Sequence, residues 1–444
     1  MTVSKTMKAN NTLELFGSAT LAALVIHASV THVAAGVAAS IGQNFTGYTG
    51  SLAWNQDASG AVSEDYFAEF NIDNFSVYNK ADGSLVETLW WQDFWSQAGV
   101  RVTFPSTDRA CPRIVYDPAV QRWFAAEPVG DPSAPAQLLL AVSASADPTG
   151  AWNGMVLASG LGTNNVAKFV SLGLDADGVY VSGIFAALGS SNPIFQPTGS
   201  TLLSLPKADL LLNPPITTNQ TLLGPLSLAS YGYFLQPVIC FDGSAGGNVL
   251  ATAGQGDPGE NNTNLFAFAV QNATGPGPAT LSSPRVLRVP AYIDPANALQ
   301  PDGSDNLTDW VPSFTSPVQR VGGALFGAVV TQVGNRVGVN WYRVDANNST
   351  LLESGTISNP TLDLYYPSIA ANKNGTVVLA FNGSGSNTFV SCYAVVGQTV
   401  NGVTTFGSLL LLKAGIASSG LWQKSVSVVE EQILPLSAWA DSFD

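Results

Sequence analysis

The chain has 444 residues, of which 46% are hydrophobic and only 11% charged, and its formal net charge is −14. A typical soluble domain carries roughly a quarter charged residues, so solubility here must rest on Ser, Thr, Asn and Gly, the surface chemistry of an exterior protein. The negative balance repels phosphate backbones and anionic lipid headgroups alike, which excludes nucleic acid as a partner.

The N-terminus carries Lys5 and Lys8 ahead of an apolar or small-residue run from Leu15 to Ala39 that ends in V-A-A-G and V-A-A-S. That order marks residues 1–39 as a signal-like or anchor segment, with cleavage sites after Ala35 or Ala39; a retained N-terminal helix packed on the body is the alternative. No later run reaches the ~18 apolar residues that a spanning helix needs, so the body is read as having no transmembrane part. Both histidines, His27 and His32, fall inside this segment. A mature chain without imidazole cannot run a Ser-His-Asp triad, a Cys-His pair or a His-ligated zinc site, and no catalytic residue is assigned. Cys111, Cys240 and Cys392 sit far apart in apolar strings and read as buried free thiols, with a bridge between 240 and 392 as the alternative. Eleven Asn-x-Ser/Thr sequons, about twice the chance number, add to the expectation of a secreted or cell-surface monomer.

Past residue 40, short β-branched and aromatic runs separated by Gly, Asn, Asp and Pro recur without sustained helical periodicity, which predicts an all-β chain. Strand, polar turn and strand align in AVSEDYFAEF from Ala61, RIVYDPAVQRWFAAE from Arg113, VSLGLDADGVYVSGIF from Val170, PVICFDGSAGGNVLATA from Pro237 and SIAANKNGTVVLAF from Ser368. Ser63, Asp117, Asp175, Asp242, Gly322 and Asn372 then occupy equivalent turn positions, at intervals of 50 to 80 residues. Such a period implies four-stranded units in a ring: a β-propeller of four-stranded blades, six to seven units, forming a single domain over 40–444. Unit six shows its strands most clearly, at 368–371, 376–381, 388–396 and 404–412. The last unit, beginning near Trp422, is short; it is either incomplete or closed by a strand from around 43–54.

The strings CPRIVYDPAVQRWFAAE (111–127), LLLAVSASADPTGAW (138–152), VGVNWYRVD (337–345) and YYPSIAANKNGTVVLAFNGSGSN (365–387) resemble a group of secreted, mostly bacterial, β-propeller-like proteins of unassigned function. The resemblance spans roughly 55–415 and implies the propeller fold, but no enzymatic role. That group usually follows an L-L-K-A-G string with W-G-D-Y-S; here Leu411 to Gly415 match, but Trp422 is followed by Gln423, Lys424 and Ser425. The turn from Ser145 to Trp152 approximates the Asp-box hairpin of sialidase-like propellers, and Asp147 is expected to accept backbone N–H groups within it while Trp152 packs over the loop.

In a propeller the first-to-second and third-to-fourth turns share one face, and the remaining connections share the other. The first kind is short here, whereas 90–110, 186–199, 210–230, 254–262 and 290–312 are long and are assigned to the opposite face, where recognition is expected. Two clusters stand out on it. Trp90, Trp91, Asp93 and Trp95 suit stacking on a sugar face with polar groups meeting hydroxyls, against the alternative that the aromatics plug the gap between units one and two. Asp302, Asp305 and Asp309 offer hard oxygen ligands to calcium, the one cofactor considered, against the alternative of a solvated polar loop. The leading functional reading is a non-catalytic extracellular or cell-surface propeller that binds a polysaccharide or a cell-surface protein. The alternatives are a carboxylate-dependent glycan-active hydrolase or lyase drawing on Glu127, Asp131, Asp257 or Glu260, and a structural matrix or adhesion protein.

Overall fold

The computed structural model describes residues 11–16, 24–29, 37–41, 44–45, 47, 59–102, 112–129, 137–158, 165–187, 197–253, 261–303, 314, 316–418 and 437–440. Alternating β-branched and aromatic residues fold into antiparallel strands that follow one another as neighbours. Unit one is Ser59–Val62, Tyr66–Phe70, Asn74–Asn79 and Leu85–Trp90, and unit two is Arg113–Asp117, Arg122–Val129, Gln137–Ser143 and Trp152–Ala158. The strands of each unit are called A to D in that order. Unit three comprises Asn165–Leu174, Gly178–Ala187, Pro197–Pro206 and Thr221–Leu226. In unit four, Tyr233–Pro237 continues as Ile239–Cys240, then come Asn248–Thr252, Asn261–Gln271 and Arg285–Ile293. Unit five is Gln319–Val321, Ala324–Val333, Arg336–Asp345 and Leu351–Ile357; unit six is Asp363–Ala371, Thr376–Gly385 and Thr388–Val400, with strand D split into Val403–Phe406 and Leu410–Lys413.

The result is an all-β chain in a β-propeller arrangement. The A strand of unit one packs on that of unit two, and the A strand of unit three packs on strands A and B of unit two. Unit four lies against unit three in the same way, its D strand meets strands B and D of unit five, and the A strand of unit six packs on unit five. Middle strands therefore have neighbours on both faces, and Arg122–Val129 and Thr376–Gly385 are buried almost throughout. The outermost strand Leu85–Trp90 instead alternates between exposed and half-buried residues.

Five of the six turn positions expected from sequence fall between strands A and B of their units, and the sixth, Asp117, is the last residue of strand A of unit two. At that face the A strands of units three, four and five converge through short parallel pairings, Leu174 with Ile239, and Ile239 and Cys240 with Gln319 and Arg320. The Leu174 N–H donates to the Val238 carbonyl at 3.2 Å, and the Ile239 N–H donates to the Val318 carbonyl at 2.9 Å. Gly173 is required by this approach, because a Cβ there would lie 2.5 Å from the Pro237 backbone.

Two expectations are corrected. The segment 210–230 is not a single long-face loop: the connection from strand C to strand D of unit three holds the short helix Lys207–Leu210, and Thr221–Leu226 is strand D itself. The buried Lys207 ammonium pairs with the Asp117 carboxylate at 2.8 Å, which ties this connection to the A–B turn of unit two. The strands nearest the chain ends also differ from the expected single strand from 43–54. Ala38–Ile41, Leu24–Ser29, Asn11–Phe16 and Ser437–Ala440 form one antiparallel sheet in that order, and Ser437–Ala440 lies between the A strands of units six and one. Of the 43–54 segment, Asn44, Phe45 and Gly47 are described. The Asn44 amide donates to the Leu412 carbonyl at 3.2 Å, and the Phe45 ring packs on Phe67 and Tyr78, so this stretch straps unit six to unit one.

Candidate functional site at the long-loop face

The aromatic cluster divides into a buried part and an exposed part. Trp90 ends strand D of unit one at the long-loop face and is 58% exposed. Trp91 opens a two-turn helix, Trp91–Gln97, and the four-residue spacing of Trp91 and Trp95 puts both indoles on its inward face. Both are buried, and their N–H groups converge on one carboxylate: Trp91 Nε1 donates to Glu127 Oε1 at 2.5 Å, and Trp95 Nε1 donates to Glu127 Oε2 at 2.7 Å. Phe94 fills the space beside them against Phe70, Phe75 and Trp152. Trp91 and Trp95 thus occupy the junction of units one and two, while Trp90 and Asp93 face solvent.

Glu127 is the residue whose role sequence reasoning missed. It stands on strand B of unit two with no exposed surface, and two hydrogen bonds from indole N–H groups hold its oxygens in place. The available signal was a lone acid in the otherwise apolar string R-W-F-A-A-E-P-V. A carboxylate held this way cannot reach a substrate from its present position. Asp131, Asp257 and Glu260 lie outside the described residues.

Asp302 is exposed in the turn that ends at Gly303, and Asp305 and Asp309 lie outside the described residues. Among the described residues no group of three His, Cys, Asp or Glu side chains is placed to hold a metal ion. Cys240 and Cys392 are buried free thiols; burial raises both, and Cys392 is pushed up to about 12. Cys111 lies outside the described residues. The turn at 145–152 has the expected form: Asp147 Oδ1 accepts the Thr149 backbone N–H at 2.9 Å and its hydroxyl at 2.7 Å, and the buried Trp152 donates its indole N–H to the Pro148 carbonyl at 2.9 Å.

No protein-family model matches the chain, and no curated protein matches it. Among solved structures it is similar to AztD of Citrobacter koseri, at 12% identity over 98% of this chain and 90% of that one, with a TM-score of 0.35. It is also similar to the WD40 domain of SCAP from fission yeast, at 8% identity over 93% and 87% of the two chains and a TM-score of 0.38. An alpha-L-arabinofuranosidase from Lactobacillus brevis matches at 10% identity over 74% and 83%, with a TM-score of 0.34. Likenesses this distant carry no argument about function.

Proposed function

We propose that this protein is a non-catalytic, extracellular or cell-surface β-propeller that recognises a neutral polysaccharide through its long-loop face. The observation that carries the reading is Trp90: in a cluster whose other indoles are consumed by packing, it alone is presented to solvent, beside the exposed Asp93 and Gln92. An exposed indole offers a flat apolar face on which a sugar ring can stack, and a neutral sugar is a partner that the acidic, low-charge surface does not repel. The full burial of Glu127 supports the non-catalytic reading over the glycan-active alternative.

In this reading the ring has seven four-stranded units. The nine-stranded sheet counts as units three and five joined through Ile239–Cys240 of unit four, and the sheet of terminal strands counts as the seventh. The exterior location is supported by composition, and a monomer is part of the same reading; among the described residues no helix is long and apolar enough to cross a membrane. Calcium is kept as the candidate ion of the loop carrying Asp302, Asp305 and Asp309, and a chelator that lowers the melting temperature would support it.

The testing experiment is retention on immobilised neutral polysaccharides. Trp90→Ala is expected to abolish retention at an unchanged melting temperature. Retention equal to that of the wild type would remove Trp90 from the site.

A further inference from the structure

Trp90 has polar neighbours on its own face of the unit-one sheet. It is the cross-strand partner of Asn74, and Thr88, two residues before it, is the partner of Ser76. The Trp91 N–H donates to the Asp73 carbonyl at 2.8 Å, so both pairs are of the kind whose backbone groups point away from each other and whose side chains stand closest. Alternation along the strand puts the Thr88 and Trp90 side chains on one face, about 7 Å apart. Leu89, between them, turns the other way and packs against the core shared by units one and two. Thr88 and Trp90 are both exposed, whereas Asn74 and Ser76 are buried beside them.

Hydrogen bonds among these side chains fix how the Thr88 hydroxyl points. Asn74 Nδ2 donates to Ser76 Oγ at 2.7 Å and to Thr88 Oγ1 at 3.0 Å, and the two hydroxyl oxygens lie 2.9 Å apart. With the amide reversed, both hydroxyls would donate to it and the set would hold two bonds instead of three, so the amide donates. One hydroxyl then gives its hydrogen to the other. If Thr88 gave, the Ser76 hydrogen would be left without an acceptor: the residue is 1% exposed, and no other group among the described residues pairs with its hydroxyl. Ser76 therefore donates, Thr88 Oγ1 accepts two bonds, and the Thr88 O–H is free to point outward beside the indole. The arrangement carries a cost, because Asn74 Oδ1 is shielded from solvent and accepts nothing. An apolar side chain would fill the space without that cost but would not orient Thr88.

We propose that Thr88 is a second contact of the glycan site at Trp90: a neutral sugar ring stacks on the indole, and an oxygen at the ring's edge accepts the Thr88 O–H. The proposal rests on the glycan-recognition reading above and adds to it a residue that selects among sugars by the placement of one oxygen. The test is calorimetric titration of the full chain with soluble oligosaccharides of glucose, xylose and mannose. For the sugar bound most tightly, Thr88→Val is expected to bind about five- to tenfold more weakly, and Thr88→Ser, which keeps the hydroxyl, to bind as the wild type does. Monodeoxy analogues of that sugar separate a contact from a packing effect. The analogue lacking the accepting oxygen should bind the wild type more weakly than the parent sugar does, and should bind Thr88→Val as well as the parent does. Wild-type affinity in Thr88→Val, a Thr88→Ser variant as weak as Thr88→Val, or equal losses on every analogue in both proteins overturns the Thr88 contact and leaves recognition at Trp90 standing. Absence of binding by the wild-type chain to all three oligosaccharides overturns both readings.

Discussion

Glu127 and the two indoles that grip it show how one buried acidic side chain organises the junction of units one and two. Removing the carboxylate leaves two buried N–H donors without acceptors, and removing an indole opens a cavity. Glu127→Ala, Trp91→Ala and Trp95→Ala are each expected to cost about 3–5 kcal/mol in chemical denaturation, while Trp90→Ala stays within about 0.5 kcal/mol. Titration adds a second test at this scale. Burial, and then the charge of Asp147, raise the Glu87 carboxyl above its ordinary value. Its ionised form is therefore disfavoured in the fold, and the penalty is present at neutral pH and absent below the unfolded value of about 4.3. Glu87→Gln should raise the melting temperature at pH 7 and leave it unchanged at pH 4. Asp345 behaves oppositely: the backbone N–H groups of Asn348 and Asn347 lower its carboxyl. Its contribution is present above about pH 3.9 and is lost as pH falls through the lower folded value. Asp345→Ala should flatten the acid limb of the stability curve, and a limb identical to the wild type would contradict this.

Turns show which elements could be read from sequence. A short unit of Asp or Asn, any residue, then Ser or Thr recurs, with Oδ1 of the first accepting both the backbone N–H and the hydroxyl of the third. It appears at Asp82–Ser84, Asp147–Thr149, Asp242–Ser244, Asn348–Thr350 and Asn359–Thr361. Asp serves as well as Asn, and Asn359 is followed by Pro360, which bars glycosylation; turn geometry thus accounts for part of the sequon excess. Asn74 and Asn382 are buried sequon residues with no room for a glycan. Asn348→Asp is expected to leave stability unchanged, and Asn348→Ala to lower it by about 1 kcal/mol. These turns, and hence the unit boundaries, were legible because short polar side chains must satisfy local backbone groups. The helix Trp91–Gln97 was not, since seven residues give too few turns for a periodic signal. Nor was the inward turn of Trp91 and Trp95, which depends on an acceptor 32 to 36 residues away in the chain.

Closure is a property of the whole molecule, and it could be read only in outline. A short final unit pointed to help from the N-terminus, but which residues pair is set by contacts between chain ends, which no local pattern encodes. With strands between 11 and 41 supplying three of the four in the closing sheet, removing residues 1–41 should strip the partners from Ser437–Ala440 and expose the flank of unit six, where Val37 and Ala39 pack on Ala370, Val378 and Leu412. A sharply lower melting temperature is expected, and an unchanged curve would show that the ring holds without them. At the same scale, the long-loop face is proposed to recognise its ligand without catalysis. The most direct measurement is incubation of the full chain with neutral polysaccharides, scoring both retention and the release of reducing ends. Retention that requires Trp90, with no reducing ends above background, is the expected result; release of reducing ends, or the absence of retention on every neutral polysaccharide tried, would contradict recognition without catalysis.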